Sequence, residues 1–234
     1  MKTALVHSED WARFDYGPQH PLRMERLGLT WRLMQAYGLT RLPGSTVHAP
    51  VPATEREIAV FHTPEYLEVL KAANTGAQPP GGGAFGLGPG DNPVFRGLWE
   101  AAQLVAAGSL LAADLVAGGE VDRAFHFAGG LHHALPDRAS GFCYVNDAVL
   151  AILRLRERGL RVAYVDIDAH HGDGVQYAFY RDPSVLQSVA VNASDAWQAL
   201  RRGNVVKAAK HVLDRRNVTS LKAVWEERKW IGGV

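Results

Sequence analysis

The segment from Arg161 to Gly174 reads R-V-A-Y-V-D-I-D-A-H-H-G-D-G and constrains the fold of this chain more than any other stretch. Val162 to Val165 form a short, partly β-branched apolar run after the turn signal Arg158-Gly159, and the run ends in polar residues. A buried parallel strand that delivers side chains to the carboxyl edge of a sheet has this form, and open α/β sheets place ligands at that edge. Side chains alternate along an extended chain, so Asp166, Asp168 and His170 are expected on one side, with Ile167 and Ala169 on the other. Carboxylate and neutral imidazole suit zinc or iron. Gly172 and Gly174 permit a tight turn that returns Asp173 towards the site. The plainer alternative is a polar strand end carrying solvated acids, but D-x-D-x-H-H-G-D after an apolar strand is too dense in ligand types to favour it.

A chain of 234 residues has material for a sizeable core. Its formal net charge of +1 gives no global attraction to nucleic acid. The charge is unevenly spread: residues 1–186 hold 16 Lys and Arg against 20 Asp and Glu, whereas residues 187–234 hold 9 against 4. The tail is therefore expected to be a separate, basic and helical segment. Its cations explain themselves as a solvated helix face, so nucleic-acid binding by it is the weakest reading. The single cysteine, Cys143, excludes an intrachain disulfide and fits a reducing compartment. With no charged-then-apolar leader and no run of 18 or more apolar residues, the expectation is a cytoplasmic protein that makes no use of a membrane.

Along the chain, Lys2 to His7 is expected as a first strand, followed by a loop carrying Tyr16, His20 and Pro21. Leu27, Trp31 and Met34 recur at helical spacing before the stop signal Gly38. Val47 to Pro52 reads as a short edge strand, and Thr54 with Glu57 forms a capping-box pattern. Asn74 to Pro93 is a Gly- and Pro-rich loop whose one carboxylate is Asp91, and Phe95 to Val116 is an Ala-rich helix expected to be largely buried. Ala124 to Phe127 reads as a strand that runs into Gly129-Gly130-Leu131-His132-His133-Ala134. Paired histidines one βα unit before the D-x-D-x-H element are candidate general acid–base groups. Asn146 to Arg158 follows as a helix with Ala148, Ile152 and Leu155 on one face, and Cys143 before it reads as a packed core residue.

Three motifs, G-G-L-H-H-A at 129–134, S-G-F-C-Y-V-N-D-A at 140–148 and Y-V-D-I-D-A-H-H-G-D-G at 164–174, together resemble the zinc-dependent histone deacetylase family. Y-G-P-Q-H-P-L-R-M-E-R-L at 16–27 and G-D-N-P at 90–93 resemble its bacterial branch, the acetoin utilization deacetylases. The resemblance covers about residues 1–186 and implies an arginase/deacetylase-like α/β fold, a parallel sheet flanked by helices with the metal at the strand ends. It implies Asp168 and His170 as two of three metal ligands. His132 and His133 are implied as the catalytic histidines, oriented by Asp166 and Asp173 respectively. Gly141 and Phe142 are implied as the lining of an acyl-lysine tunnel, with Asp91 at its rim. The implied cofactor is zinc, with iron as the alternative, and a monovalent cation such as potassium is implied near Asp166 and Asp168. The implied partner is acetylated lysine in protein or an acetylated small amine.

After Val185-Leu186 the resemblance fades. The third ligand Asp and a late glycine-rich turn bearing a tyrosine are not recognisable, and no tyrosine follows Tyr180. The fold is therefore expected to be incomplete, with an apolar sheet edge open to self-association unless the tail around Trp197 to Leu213 covers it. Two competing readings follow: an impaired pseudoenzyme or acyl-lysine-binding module from a truncated copy, and an arginase-like hydrolase, against which the paired histidines argue.

Overall fold

The computed structural model describes residues 1–189 and 230–232. The first strand is β1 (Thr3–Val6), and its residues Ala4, Leu5 and Val6 are all buried. Burial of successive side chains is the mark of a strand covered on both faces. A turn carrying Trp11 leads to α1 (Glu25–Ala36), which buries Leu27 and Met34, and Gly38 follows it in the left-handed conformation. The edge strand β2 (Ser45–His48) pairs in parallel with β1. The predicted capping box forms at α2 (Glu55–Ile58), where Thr54 and Glu57 satisfy each other's backbone N–H groups. Next come α3 (Pro64–Ala73) and the 20-residue α4 (Leu98–Ala117).

By length and composition α4 is apolar enough to cross a membrane, yet 67% of that stretch is buried inside the protein. It is the central helix of the molecule. Leu98, Ala106 and Leu110 join Tyr66, Leu67 and Leu150 in one core, while Leu104, Val105 and Leu115 join Leu5, Val6 and Phe127 in another. Beyond α4 lie β3 (Arg123–His126), α5 (Asp147–Glu157), β4 (Val162–Asp166), α6 (Asp173–Phe179), β5 (Val185–Val189) and a last strand β6 (Trp230–Gly232). On α5 the buried apolar residues are Val149, Leu150, Ala151 and Ile152, with Asp147 buried beside them; the apolar face is turned from the expected one, with Ala148 and Leu155 half-buried.

The sheet differs from expectation in one respect that matters for the site. All pairings are parallel, but the strands form two groups, β2-β1-β3-β6 and β4-β5. β6 occupies the far edge of β3, with Arg123 opposite Trp230 and Phe125 opposite Gly232, so residues 230–232 are strand where a helical tail was expected. The expected helix around Trp197 to Leu213 lies outside the described residues. Among the described residues β4 pairs with β5 alone, and it is not the buried strand anticipated: Val165 is exposed and the rest of its apolar run is half-buried. A third, smaller core of Val149, Ile152, Val175, Phe179 and Val185 ties the β4-β5 pair to α5 and α6.

Candidate active site

The loop after β3 and the loop after β4 meet at the carboxyl ends of their strands, and two histidine–carboxylate pairs form there. His132 is buried and donates from Nδ1 to Asp166 Oδ2 at 2.7 Å. His133 donates from Nδ1 to Asp173 Oδ1 at 2.7 Å. The rings meet edge to face with centroids 4.2 Å apart, and their Nε2 atoms lie 3.1 Å from one another. With both Nδ1 protons spent on carboxylates, that short contact is a hydrogen bond only when one ring holds protons on both nitrogens. Burial works to lower the His132 pKa, but the hydrogen bond to Asp166 and the charges of Asp166, Asp168 and Asp173 outweigh it, and the net direction is up. Asp166 shows the counterpart. Burial works to raise it, yet hydrogen bonds from His132, Tyr164 and the Asp168 N–H hold it below the ordinary carboxylate range.

Asp166 is the last residue of β4, and the alternation anticipated for Asp166, Asp168 and His170 stops with it. Asp168 and His170 lie beyond the strand and are exposed, as are Ile167 and Ala169. Asp168 remains tethered, because its N–H donates to Asp166 Oδ1 at 3.0 Å. Its carboxylate then accepts from His170 twice, from the backbone N–H at 2.7 Å and from Nδ1 at 2.9 Å. The His170 ring sits 6.0 Å from that of His133. The turn glycines act differently from expectation. Gly172 has φ −74, which any residue adopts, but a Cβ there would lie 2.5 Å from Asp166 Oδ2, so the constraint is close approach to the buried carboxylate.

Gly141, followed by Phe142, lies against the His133 ring. Gly141 has φ +51, and a Cβ on it would meet the His133 ring at 2.5 Å. Phe142 is the one described non-glycine residue with positive φ, at 71. That conformation is held from both ends: its N–H donates to Asn92 Oδ1 at 2.9 Å and its carbonyl accepts from Tyr16 Oη at 2.9 Å. His20 packs edge-on against the Phe142 ring and contacts the Asp91 carbonyl at 3.2 Å. Asp91 itself is exposed. Cys143 is buried, and burial pushes its thiol up to about 12, so it is a core thiol and no nucleophile.

The histone deacetylase domain family matches residues 20–190. This chain belongs to the histone deacetylase family. It is 38% identical to the acetoin utilization protein AcuC of Bacillus subtilis over 185 residues, which are 78% of this chain and 47% of that protein. It is 39% identical to histone deacetylase 1 of Homo sapiens over 188 residues, 79% of this chain and 38% of that protein. The crystal structure of a histone deacetylase homolog from Aquifex aeolicus superposes with a TM-score of 0.74 at 34% identity, over 81% of this chain and 50% of that one. The chain thus spans less than half the length of these two curated relatives. The arginase/deacetylase-like fold expected from the motifs is the fold observed.

Measured against the family's zinc chemistry, Asp168 and His170 fit in kind: a carboxylate oxygen and an imidazole nitrogen side by side in an accessible turn. They would supply two ligands of a coordination shell. Among the described residues no group of three or more His, Cys, Asp or Glu could hold an ion. Several participants carried no warning in the sequence. Tyr164, read as part of an apolar strand, donates from Oη to Asp166 Oδ2 at 2.6 Å. Asn92 and Tyr16 set the unusual backbone of Phe142. Asn92 and Tyr16 act across 50 and 126 positions of sequence, whereas Tyr164 acts from two positions before Asp166 on the same face of β4.

Proposed function

We propose that this histone deacetylase family member hydrolyses acyl amides, removing acyl groups from lysine side chains in protein or from related acetylated amines. The observation that carries this reading is the pair of carboxylate-anchored imidazoles, His132 and His133, with their free nitrogens converging beside Asp168 and His170. Zinc, or iron in its place, held by Asp168 and His170 would polarise the amide carbonyl and acidify an attacking water. His133 Nε2 takes the proton of that water and returns it to the leaving amine nitrogen; the products are the free amine and the carboxylic acid. Asp173 fixes the tautomer and direction of His133. His132, backed by the buried Asp166, supplies positive charge next to the developing oxyanion. A monovalent cation near Asp166 and Asp168 would reinforce that turn. Gly141 and Phe142 are assigned to the wall of the acyl-lysine channel, and Asp91 on the rim accepts hydrogen bonds from the substrate backbone.

A solved histone deacetylase homolog has been crystallised with SAHA, which supplies a probe. The test is release of acetate from an acetyl-lysine peptide by the full chain with added zinc. We expect hydrolysis that SAHA suppresses, that Asp168→Ala abolishes and that His133→Ala lowers by about 10²- to 10⁴-fold. A soluble, zinc-supplemented chain that releases no acetate, or releases it equally well as Asp168→Ala, would overturn the reading.

A further inference from the structure

The segment bearing the two histidines is gripped by residues outside the histidine–carboxylate pairs. Asn146 caps α5, and its Oδ1 accepts from the Val149 N–H at 3.1 Å. Its side-chain NH₂ donates to the carbonyls of His132 (3.1 Å) and Ala134 (3.0 Å). Its own N–H donates to His62 Nε2 at 3.0 Å, so the hydrogen-bonding groups of this fully buried residue are committed. The next residue, Asp147, is 1% exposed and grips the same loop by its opposite polarity. Oδ1 accepts from the Leu131 N–H at 2.8 Å, and Oδ2 accepts from the Gly130 N–H at 3.1 Å and from Ser109 Oγ at 2.5 Å. Ser109, having given its proton to Asp147, can only accept at Oγ from His126 Nδ1 at 3.0 Å, which fixes that buried imidazole as the Nδ1–H tautomer. A carboxylate this deeply buried is stable only when several donors replace its water. Two of those donors are the N–H groups immediately before His132.

We propose that Asn146 and Asp147 are positioning residues for His132 and His133. Asp147 takes the N–H groups at 130 and 131, Asn146 takes the carbonyls at 132 and 134, and the segment between is left with one conformation. The rigid support is α5, itself packed against α4, which brings Ser109 and through it His126 to the carboxylate. The role of the pair in turnover rests on the reading of His132 and His133 as the proton-handling groups; the grip on the loop does not.

The two dependencies are read separately in the full chain. Asp147→Asn keeps the shape but turns one acceptor into a donor that faces N–H or O–H groups. Amide hydrogen exchange should then quicken roughly tenfold at Gly130 and Leu131, the equivalent of one lost buried hydrogen bond, while Leu5 of β1 and Leu110 of α4 keep their rates. Where peptide hydrolysis is measured, kcat falls and KM holds. Asn146→Asp, which sets oxygens against the carbonyls of His132 and Ala134, should act alike. If Asp147→Asn fails to fold, Ser109→Ala removes one donor and should give a smaller acceleration confined to the same amides. Unchanged exchange at Gly130 and Leu131 would overturn the proposal. So would acceleration of equal size at Leu5 and Leu110, which would make Asp147 a support of the core alone. Local acceleration in a chain that hydrolyses nothing would uphold the grip and count against the hydrolase reading.

Discussion

The two halves of the site are built to different standards. The side chains of His132 and Asp166 are 8% and 5% exposed, and Asp166 is surrounded by donors from His132, Tyr164 and the Asp168 N–H. The side chains of His170 and Asp168 are 78% and 51% exposed and hold each other with little else. In the proposed hydrolysis, groups that move protons need fixed partners before any ligand arrives, and the fold supplies such partners from β4, α6 and the loop after β3. Groups that wait for an ion need reach and solvent access. The split sheet does not follow the same division: β4, paired only with β5 among the described residues, ends in the buried Asp166 and leads straight into the exposed turn of Asp168 and His170.

The largest blow to the buried half should come from Asp166→Ala, which leaves the His132 Nδ1–H and the Tyr164 hydroxyl without their acceptor. A loss of about 3–5 kcal/mol in urea unfolding is expected, the usual cost of removing one partner of a buried pair. Acid should strike the same interior next. Burial pushes both His62 and His126 down to about 4 from an ordinary 6.5. Their contribution to stability is therefore complete above pH 6.5, where folded and unfolded chains are both neutral, and is lost as pH falls from 6.5 through 4, where the unfolded chain binds protons first. Each group accounts for on the order of 3 kcal/mol over that window, and His126→Asn should flatten the urea midpoint against pH. Asp173→Asn touches a carboxylate whose side chain is 50% exposed. It should cost below about 1 kcal/mol in the same measurement while slowing hydrolysis, which separates positioning from folding. Asp168→Asn should be the mildest, within about 0.5 kcal/mol without metal, yet it should erase the stabilisation of about 2.7 kcal/mol that zinc at a hundredfold excess over Kd gives the unaltered chain. Equal stability losses at Asp166 and Asp168 would erase the contrast.

Local features of this fold were legible in the sequence. The α1 periodicity, the Thr54–Glu57 capping box and the apolar length of α4 are set by residues within a few positions of one another. The pairing of Trp230–Gly232 with β3 was not, because three residues carry no register information and their partner lies more than a hundred positions away. In the site, the pairing of His132 with Asp166 and of His133 with Asp173 came from family resemblance and is what the geometry contains. Asn146 read only as the start of a helix and Asp147 as part of it, since nothing in N-D says that one side chain will grip carbonyls and the other N–H groups of a loop 12 to 17 residues earlier. The expected alternation through Asp168 and His170 failed because the strand ends at Asp166.

The contrast between a preformed relay and a waiting ligand pair is tested most directly by imidazole ¹⁵N and ¹H NMR of the full chain, recorded before and after zinc is added. The account predicts that His132 and His133 already hold their Nδ1 protons against carboxylates without zinc and keep them when zinc is added. His170 alone gives up Nδ1 to the metal, its ring proton then sitting on Nε2. Formation of the His132 and His133 Nδ1–H signals only upon zinc addition, or a His170 ring that does not respond to zinc, would contradict it.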